Sequence, residues 1–495
     1  MAQPKTCDNF LGGAFAPPSS GAYMDVTAPH DGSVCARVGV STKADVDAAV
    51  DKAKAAAPAW RELTVKSRAA IMFKLHHLIQ EHADELAKLA SLENGKTIPE
   101  ALASVAKGNE TVEWACSLPQ LAQGHTLQVS RGVTCQDQLD PVGIVGCVVP
   151  FNFPIMVPMW TVPIALTMGN CVILKPSEKC PMTMTRVAEL MKQAGVPDGV
   201  FQLVQGTVEV VESLCDHPDI SALTFVGSSK VAEIVYKRCH NLNKKVLALG
   251  GAKNHLVALP DCDTAMAAAD ITSSFAGCAG QRCMAASVLL TVGEQPALLE
   301  AVVAKASELK AGQNGGQMGP VIDEASQKRI LSYIDEAEAG GAKILLDGRN
   351  WAKDQASGSW VGPTVILHSN KADRALHDEI FGPVLSILVV NSKEEAIEVE
   401  NTNPYGNAAC VYTSSGGAAE WFTHRFRAGM IGVNIGIPVP REPFSFGGMY
   451  NTLSKFGEHD ITGEGAMRFF TTRRKITTKW SKFELGAKED ISQFK

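Results

Sequence analysis

The chain has 495 residues, of which 45% are hydrophobic and 20% charged, an ordinary globular composition that is long enough for roughly two or three domains. Its net charge of -6 and its lack of long basic runs argue against nucleic acids and anionic membranes as partners. The 13 cysteines include no CxxC pair, which favours reduced thiols and a cytoplasmic location, with the mitochondrial matrix left open if a targeting peptide has been removed.

The N-terminal part of the chain combines predicted helices with one predicted hairpin. Apolar residues at helical spacing predict helices over 42–56, from 67 to about 92, and over 99–116. Residues 126–139 alternate between polar and apolar side chains, which predicts the strands of a hairpin. The long apolar run 153–168 is broken by prolines and is short for a bilayer, so we interpret it as a buried segment.

From Val142 onward, short apolar runs alternate with helical stretches. The predicted strands are 143–149, 171–174, 200–203, 222–226 and 246–249, with predicted helices at 181–195 and 229–240. A second series after Gly251 contains helices 263–277, 296–310, 324–339, 393–401 and 417–427 and strands 286–292, 343–346, 385–390, 408–413 and 430–434. This alternation is typical of βαβ units, and dinucleotide sites are expected at the carboxyl ends of such strands.

One cysteine lies on a predicted loop that leads into a strand. Cys283 follows Arg282 in the stretch 275–285, which is rich in small residues. A neighbouring cation stabilises thiolate over thiol, so we predict that Cys283 is a nucleophile. The alternative is a small buried cysteine, which is the usual state of an isolated free cysteine.

Three polar turns follow predicted strands. Asn152 lies in a proline-pinned turn and could donate its amide to an oxyanion, although Asn beside Pro also serves turns. Lys175 and Glu178 could hold the hydroxyls of a ribose. The alternative is that Glu178 lies at the N-terminal end of a helix and stabilises its start; both roles can hold at once. The small-residue turn 224–229 could approach a pyrophosphate at a helix N-terminus, although the usual GxGxxG spacing is absent. No cluster of His, Cys and carboxylates has metal-site spacing, and we predict no catalytic metal.

Together these motifs resemble those of the aldehyde dehydrogenase superfamily. The shared motifs, in the same order, are Asn152 in PFNFP, Lys175-Pro-Ser-Glu178, Phe225-Val-Gly-Ser228, Gly280-Gln-Arg-Cys283, Glu379-Ile-Phe-Gly-Pro and Asn403-Pro-Tyr-Gly. The resemblance runs from about Phe10 to Trp480. Within the superfamily the chain is most similar to the CoA-acylating methylmalonate- and malonate-semialdehyde dehydrogenases, through 251–255, 280–285 and 437–440.

The resemblance implies an α/β fold with a Rossmann-like cofactor domain, a catalytic domain and an oligomerisation hairpin. The implied NAD-binding domain comprises 1–119 and 141–249, and 441–468 returns to it. The catalytic domain comprises 250–440, and the oligomerisation element comprises 120–140 and 469–495. The family further implies a homodimer or homotetramer whose partners are otherwise small molecules.

The resemblance also implies the role of each site residue. Cys283 is the nucleophile, and Asn152 shares the oxyanion hole with the backbone N–H of Cys283. The implied cofactor-binding residues are Val149, Phe151, Lys175, Glu178, Lys179, Gly227, Ser228, Gly250, Glu379 and Phe381. Arg282 is the implied partner of a substrate carboxylate, and Lys107 stands where the closest branch has a second arginine; without the family, Lys107 would be interpreted as a solvated helix residue.

The expected chemistry is oxidation of an aldehyde by NAD through a thioacyl-enzyme. Hydrolytic members carry a glutamate before Leu-Gly-Gly as the base that activates water, whereas this chain has Ala248. We therefore predict transfer of the acyl group to coenzyme A, with methylmalonate or malonate semialdehyde giving propionyl- or acetyl-CoA and CO2. The alternatives are a hydrolytic enzyme in which Glu379 activates water, another small anionic aldehyde as substrate, and a non-catalytic protein that has kept the fold.

Overall fold

A computed structural model describes residues 4–313, 315–351 and 357–480. The start of the predicted cofactor domain at 1–3 and the end of the predicted oligomerisation element at 481–495 lie outside the described residues. Within the described ranges, no helix is long and apolar enough to cross a membrane, and no group of at least three His, Cys, Asp or Glu residues is placed to hold a metal ion.

The helices alternate with strands along most of the chain. They are α1 (Lys43–Glu62), α2 (Val65–Glu81), α3 (Ala83–Asn94), α4 (Ile98–Cys116), α5 (Leu118–Leu121), α6 (Met156–Thr167), α7 (Met182–Ala194), α8 (Val208–Asp216), α9 (Ser229–Asn241), α10 (Thr264–Ala276), α11 (Pro296–Ser307), α12 (Glu324–Ala339), α13 (Arg374–His377), α14 (Lys393–Thr402), α15 (Gly416–Thr423) and α16 (Gly463–Phe469). A short 3-10 turn, Gly277–Gly280, follows α10.

The strands are short and mostly buried. They are β1 (Lys5–Cys7), β2 (Asn9–Leu11), β3 (Ala14–Ala16), β4 (Tyr23–Thr27), β5 (Val34–Gly39), β6 (Thr126–Ser130), β7 (Val133–Pro141), β8 (Ile144–Val148), β9 (Cys171–Lys175), β10 (Phe201–Leu203), β11 (Ile220–Val226), β12 (Lys245–Leu249), β13 (Asn254–Ala258), β14 (Ala286–Val292), β15 (Lys343–Leu346), β16 (Thr364–His368), β17 (Val384–Val390), β18 (Ala408–Tyr412), β19 (Met430–Val433), β20 (Lys455–Phe456) and β21 (Thr471–Lys479).

The first large sheet has eight strands in the order β20-β12-β11-β8-β9-β10-β2-β3. Its central strands β12 to β10 run parallel, as the βαβ pattern predicted. Strands β8 and β9 are buried along their whole length because helices, among them α1 and α6, pack on the sheet. The carboxyl ends of β8, β9 and β11 therefore lie along one edge.

The second large sheet has seven strands in the order β15-β16-β17-β14-β13-β18-β19. All its pairs are parallel except β15–β16. Cys283 lies just before β14, so the predicted loop leading into a strand is confirmed. Strands β13 and β16 were not predicted from the sequence, although β13 lies between β14 and β18.

A smaller three-stranded sheet has the order β21-β7-β6. The predicted hairpin is confirmed as β6 and β7, and β21 pairs antiparallel with β7 from Thr471 opposite Pro141 to Lys479 opposite Val133. A separate small sheet near the N-terminus, β1-β5-β4, was not predicted.

One helical expectation needs correction. The single helix predicted from 67 to about 92 is two helices, α2 and α3, because His82 leaves the helical conformation with ψ 15°. The apolar stripe continues across the break since both helices pack on α4 and α7. The proline-containing run 153–168 is buried as expected, and most of it forms α6. Pro158 lies in the first turn, where no intrahelical N–H bond is lost, whereas Pro163 lies inside the helix and leaves one such bond unmade.

Candidate active site

The nucleophile loop is a tight left-handed turn. Cys278 and Ala279 have φ values of 52° and 53°, and Gly280 has φ 70°. A Cβ at Gly280 would lie 2.0 Å from the carbonyl oxygen of Gly382, so only glycine fits there without a shift. The loop is therefore packed directly against the segment that carries Glu379.

Two asparagine amides hold the backbone of Cys283. The Nδ2 atoms of Asn254 and Asn407 each donate to the Cys283 carbonyl oxygen at 2.9 Å, and Asn254 also donates to Ala285 O at 2.8 Å. Sequence reasoning missed these roles, although both residues lie in or next to motifs that it singled out. Their contacts fix the loop and with it the direction of the thiol.

Cys283 lies between two cavities, which we call the cofactor-side cavity and the aldehyde-side cavity. Their volumes are about 360 Å³ and 510 Å³, respectively. Cys283 and Trp160 line both, and the Trp160 indole stacks on Phe446 with 4.4 Å between ring centroids. One thiol can thus be reached from two sides.

The cofactor-side cavity brings together most of the predicted cofactor residues. Its predicted members are Phe151, Asn152, Gly227, Ser228, Gly250, Cys283, Glu379 and Phe381. Phe151 and Phe381 meet edge to face with ring centroids 5.9 Å apart. Arg329 also lines the cavity and donates to the Ile380 carbonyl; it had not been predicted, because an arginine inside an amphipathic helix carries no motif of its own.

Val149, Lys175, Glu178 and Lys179 lie outside the lining of this cavity, at neighbouring strand ends. The Val149 N–H donates to Lys175 O at 3.2 Å, and the Lys175 ammonium donates to Glu178 Oε2 at 2.8 Å. Burial alone would raise the pKa of Glu178, but the Lys175 charge outweighs it and the pKa is lowered. Glu178 is thus an ionised acceptor held in place by a buried lysine.

Lys179 connects the two α/β units, by which we mean the eight-stranded and the seven-stranded sheet, each with its helices. Its ammonium lies 2.5 Å from Asp323 Oδ2 and 5.5 Å from the centroid of the Phe151 ring. Asp323 also caps α12 by accepting from Ser326 N at 2.8 Å. Lys179 thereby positions Phe151 at the rim of the cofactor-side cavity.

The turn at Gly227-Ser228 directs the N-terminus of α9 toward this cavity. Helix α9 has 13 residues and Ser228 is its N-cap residue. Gly250 packs closely beside its first residue, since a Cβ at Gly250 would lie 2.8 Å from Ser229 Oγ. A helix N-terminus approached through small residues, beside a Lys–Glu pair at the next strand end, suits the pyrophosphate and ribose of a dinucleotide.

Asn152 contacts the nucleophile loop directly. Its side chain is 4% exposed, and Nδ2 donates to Gln281 O at 3.0 Å. Oδ1 has no hydrogen-bond partner among the described residues. The amide is therefore fixed two residues before Cys283, in the wall of the same cavity.

The thiol and the nearest carboxyl group influence each other. Burial raises the pKa of Cys283 to about 12, and the charge of Glu379 contributes to the rise. Burial also raises the pKa of Glu379 to about 7, against the opposing effects of the Ala252 N–H and Lys253. Burial and the Glu379 charge therefore both favour the thiol form of Cys283 over the thiolate.

The expected contact between Arg282 and the Cys283 thiolate is not what the structure shows. The guanidinium turns back over Gly277, where a Cβ would meet it at 2.5 Å, and lies 3.7 Å from Glu100 Oε1. Burial opposes its charge, but Cys278 and Glu100 outweigh burial and raise the pKa of Arg282. The left-handed turn directs the side chain away from the neighbouring thiol.

The aldehyde-side cavity has a largely apolar lining that also includes three charged residues. Its apolar lining includes Phe153, Met156, Trp160, Met284, Ile437, Val439 and Phe446. Arg282 and Lys107 both line it, together with Glu100. Lys107 is one-quarter exposed and paired with Glu110 at 2.5 Å, so it is a half-buried wall residue and not a fully solvated one. The structure thus brings the two predicted substrate cations to one cavity.

Ala248 is fully buried on β12. The carboxylates that line the two cavities are instead Glu379 and Glu100, within the described residues. Glu100 is already engaged, since Oε1 accepts from Cys278 N at 2.6 Å and Oε2 accepts from Thr97 N at 3.1 Å. The strand position used by hydrolytic relatives offers no base.

A cysteine thiol between a cleft suited to a dinucleotide and a separate cavity for a second molecule is typical of a cysteine-dependent oxidoreductase. A sequence model described as the aldehyde dehydrogenase family matches residues 15–476. The chain therefore belongs to the aldehyde dehydrogenase family, and the superfamily resemblance and the α/β fold that it implied are confirmed. The domain bounds and the oligomerising role of the hairpin stay predictions.

Individual relatives match nearly the whole chain. It is 43% identical over 482 residues to malonate-semialdehyde dehydrogenase 2 of Geobacillus kaustophilus, covering 96% of this chain and 99% of that one. A methylmalonate-semialdehyde dehydrogenase from Oceanimonas doudoroffii has a similar structure, with a TM-score of 0.94, 35% identity and coverage of 97% and 99%. So does a Sinorhizobium meliloti 1021 protein assigned the same activity and complexed with NAD, with a TM-score of 0.95, 36% identity and the same coverage.

Proposed function

We propose that this protein oxidises a small semialdehyde with NAD through a Cys283 thioester and transfers the acyl group to coenzyme A. The observation that carries the proposal is the place of Cys283 between two cavities, next to Asn152, while Ala248 occupies the base position. Relatives named for malonate and methylmalonate semialdehyde support the same reaction.

The cofactor-side cavity and the adjoining strand ends would hold NAD. Lys175 and Glu178 are suited to the adenosine ribose, and the N-terminus of α9 at Ser228 is suited to the pyrophosphate. Glu379 and Phe381 are suited to the nicotinamide end beside Cys283. When bound, the nicotinamide accepts a hydride from the substrate. The negative charge of Glu178 would repel a 2′-phosphate, which favours NAD over NADP.

Cys283 and Asn152 carry out the first chemical step. Once the Cys283 thiol has released its proton to solvent, the thiolate adds to the aldehyde carbon, and the carbonyl oxygen becomes an oxyanion. The Asn152 amide and the Cys283 backbone N–H are the donors that stabilise this charge. Loss of hydride from the same carbon then leaves an acyl group on the sulfur of Cys283.

The second step is transfer of the acyl group. Ala248 cannot accept a proton from water. A thiol is intrinsically a better nucleophile toward a thioester than neutral water, so coenzyme A can complete the reaction without that base. Its sulfur forms the new thioester bond, the bond to the sulfur of Cys283 breaks, and the released Cys283 thiolate regains a proton.

The substrate would be an aldehyde that carries a carboxylate. Arg282 offers a planar guanidinium to that group and Lys107 a second positive charge, both in the wall of the aldehyde-side cavity. Methylmalonate semialdehyde would give propionyl-CoA, and malonate semialdehyde would give acetyl-CoA, each with loss of CO2. The apolar wall around Trp160 and Phe446 suits the remainder of the molecule.

Product analysis tests the proposal. We expect malonate and methylmalonate semialdehydes to give NADH and acyl-CoA when coenzyme A is present, and only a single turnover of NADH when it is withheld. Succinate semialdehyde and an uncharged aldehyde of similar size complete the panel. Sustained production of free acid at the full rate without coenzyme A would refute acyl transfer.

One observation favours a hydrolytic alternative. Glu379 lines the same cavity as Cys283 and has a pKa of about 7, so it could accept a proton from water near neutral pH. Its Oε1 atom is engaged by Ala252 N at 2.9 Å. If Glu379 is the base, Glu379→Gln would abolish acid formation in the assay without coenzyme A.

The hairpin of β6 and β7 is the proposed oligomerisation element. Strand β6 forms the edge of its sheet, and Leu127 and Val129 on it are 66% and 52% exposed. An edge strand with exposed apolar side chains is suited to pair with another copy. We expect a homodimer or homotetramer by light scattering.

Two further expectations stay predictions. One is the set of domain bounds given above, in which the segment 441–468 supplies β20 to the first sheet. The other is the cytoplasmic or mitochondrial location.

A further inference from the structure

The turn between α3 and α4 contacts the Asn152 loop from behind. Asn94 Nδ2 donates to Phe151 O at 2.9 Å. The Lys96 ammonium donates to Asn152 O and lies 3.9 Å from the centroid of the Phe153 ring. Three consecutive residues of the loop are thus held by two side chains.

Lys96 is an unusual buried charge. It is only 3% exposed, and its further contact is Cys278 Sγ at 3.4 Å. Within the described chain, no carboxylate lies within ion-pair distance of its ammonium. A buried ammonium without an anionic partner is costly. An apolar side chain of similar length would fill the same space with less penalty, so stability alone does not account for a lysine here.

The backbone of the turn is itself rigid. Gly95 ends α3 in the left-handed region with φ 94°, and Ser91 Oγ donates to Lys96 O at 2.6 Å. Thr97 and Glu100 form a capping box at the start of α4. The Lys96 side chain therefore extends from a fixed base, as a residue that orients another side chain must.

We propose that Lys96 is a positioning residue for the oxyanion donor, an inference that rests on the proposed role of Asn152. Lys96 holds the Asn152 carbonyl on one side, while Gln281 O accepts from Asn152 Nδ2 on the other at 3.0 Å. The amide is thereby fixed between the two α/β units.

The test is a single-turnover measurement of NADH without coenzyme A, in the full-length protein. We expect Lys96→Met to lower the rate of the NADH burst by about tenfold to a hundredfold, the range for groups that orient a catalytic ligand. NAD affinity should be unchanged and the melting temperature unchanged or higher. Lys96→Arg should recover most of the rate because it keeps the charge and a donor. The matched control is Lys244→Met. Lys244 is another buried lysine, directly before β12, and its ammonium donates to His217 O at 2.5 Å. This variant should keep the wild-type burst rate.

A double-mutant cycle separates positioning from a general effect. If Lys96 acts through Asn152, adding Lys96→Met to Asn152→Ala should change the burst rate by less than about twofold, since the second change has nothing left to disturb. Additive losses would overturn the proposal, as would a wild-type burst in Lys96→Met or a loss that tracks a lower melting temperature. A wild-type enzyme that forms no NADH with any aldehyde would instead refute the proposed function itself.

Discussion

The two cavities on either side of Cys283 are built in different ways. The cofactor-side cavity is formed by short contiguous motifs at strand ends, such as Gly227-Ser228 after β11 and Gly250-Gly251 after β12. The aldehyde-side cavity draws single residues from α4, the start of α6, the nucleophile loop and the segment 437–446. Because strand ends of a parallel sheet meet along one edge, the first kind of site follows from local sequence. The second depends on how distant elements pack.

The largest expected effect comes from the residue that both cavities share. Cys283→Ala should lower the rate of NADH formation about 10⁴-fold or more, since no other group can form the thioester. Steady-state and burst assays with a semialdehyde and NAD would measure it. Cys262→Ser, which changes a half-buried cysteine away from both cavities, should keep the activity. Unchanged NADH production in Cys283→Ala would remove this thiol from the mechanism.

Removing the charge of Arg282 should impair binding in the aldehyde-side cavity without changing the cofactor-side cavity. Arg282→Met should lower kcat/KM for carboxylate-bearing aldehydes about tenfold to a hundredfold, the value of one charge-assisted contact. It should leave the KM for NAD and the kcat/KM for an uncharged aldehyde nearly unchanged.

Lys107, which lines the same cavity, gives the matched comparison. Lys107→Arg should raise the preference for carboxylate-bearing aldehydes by a few-fold, about 1 kcal/mol or less. The reason is that a planar guanidinium can form two parallel hydrogen bonds with a carboxylate, whereas the lysine ammonium is a compact charge. Equal loss of charged and uncharged substrates in Arg282→Met would instead mean that Arg282 only supports the loop through Gly277 and Glu100.

The sequence was informative where local patterns determine the structure. Alternating apolar runs predicted β8, β9, β11 and β12, and their polar turns marked most of the cofactor-side cavity. The direction of Arg282 could not be predicted, because it depends on the left-handed turn at Cys278 and Ala279, which non-glycine residues seldom adopt.

Contacts between segments that are distant in the sequence could not be predicted either. Asn254 and Asn407 meet at one carbonyl only after β13 and β18 have paired, and Lys96 reaches Asn152 only when α3 and α4 have packed on the first unit. Likewise, the break at His82 falls within a continuous apolar stripe, so hydrophobic periodicity gave no sign of it.

A last charge effect, confined to the cofactor-side cavity, links Glu379 to the reactivity of Cys283. Glu379 has a pKa of about 7, so its carboxyl group is neutral below that pH and negative above it. The negative form disfavours the Cys283 thiolate and contributes to a thiol pKa of about 12. In the enzyme without NAD, Glu379→Gln should therefore react with iodoacetamide about three- to tenfold faster than wild type above pH 7, a change of about half to one pKa unit. Below pH 6 the two rates should converge, since the wild-type carboxyl group is then neutral. Peptide mass spectrometry would assign the alkylation to Cys283, and parallel pH profiles with no difference at high pH would show that Glu379 does not control this thiol. The cofactor-side cavity would then set the reactivity of Cys283 through burial alone, and its carboxylate would act on the bound cofactor only.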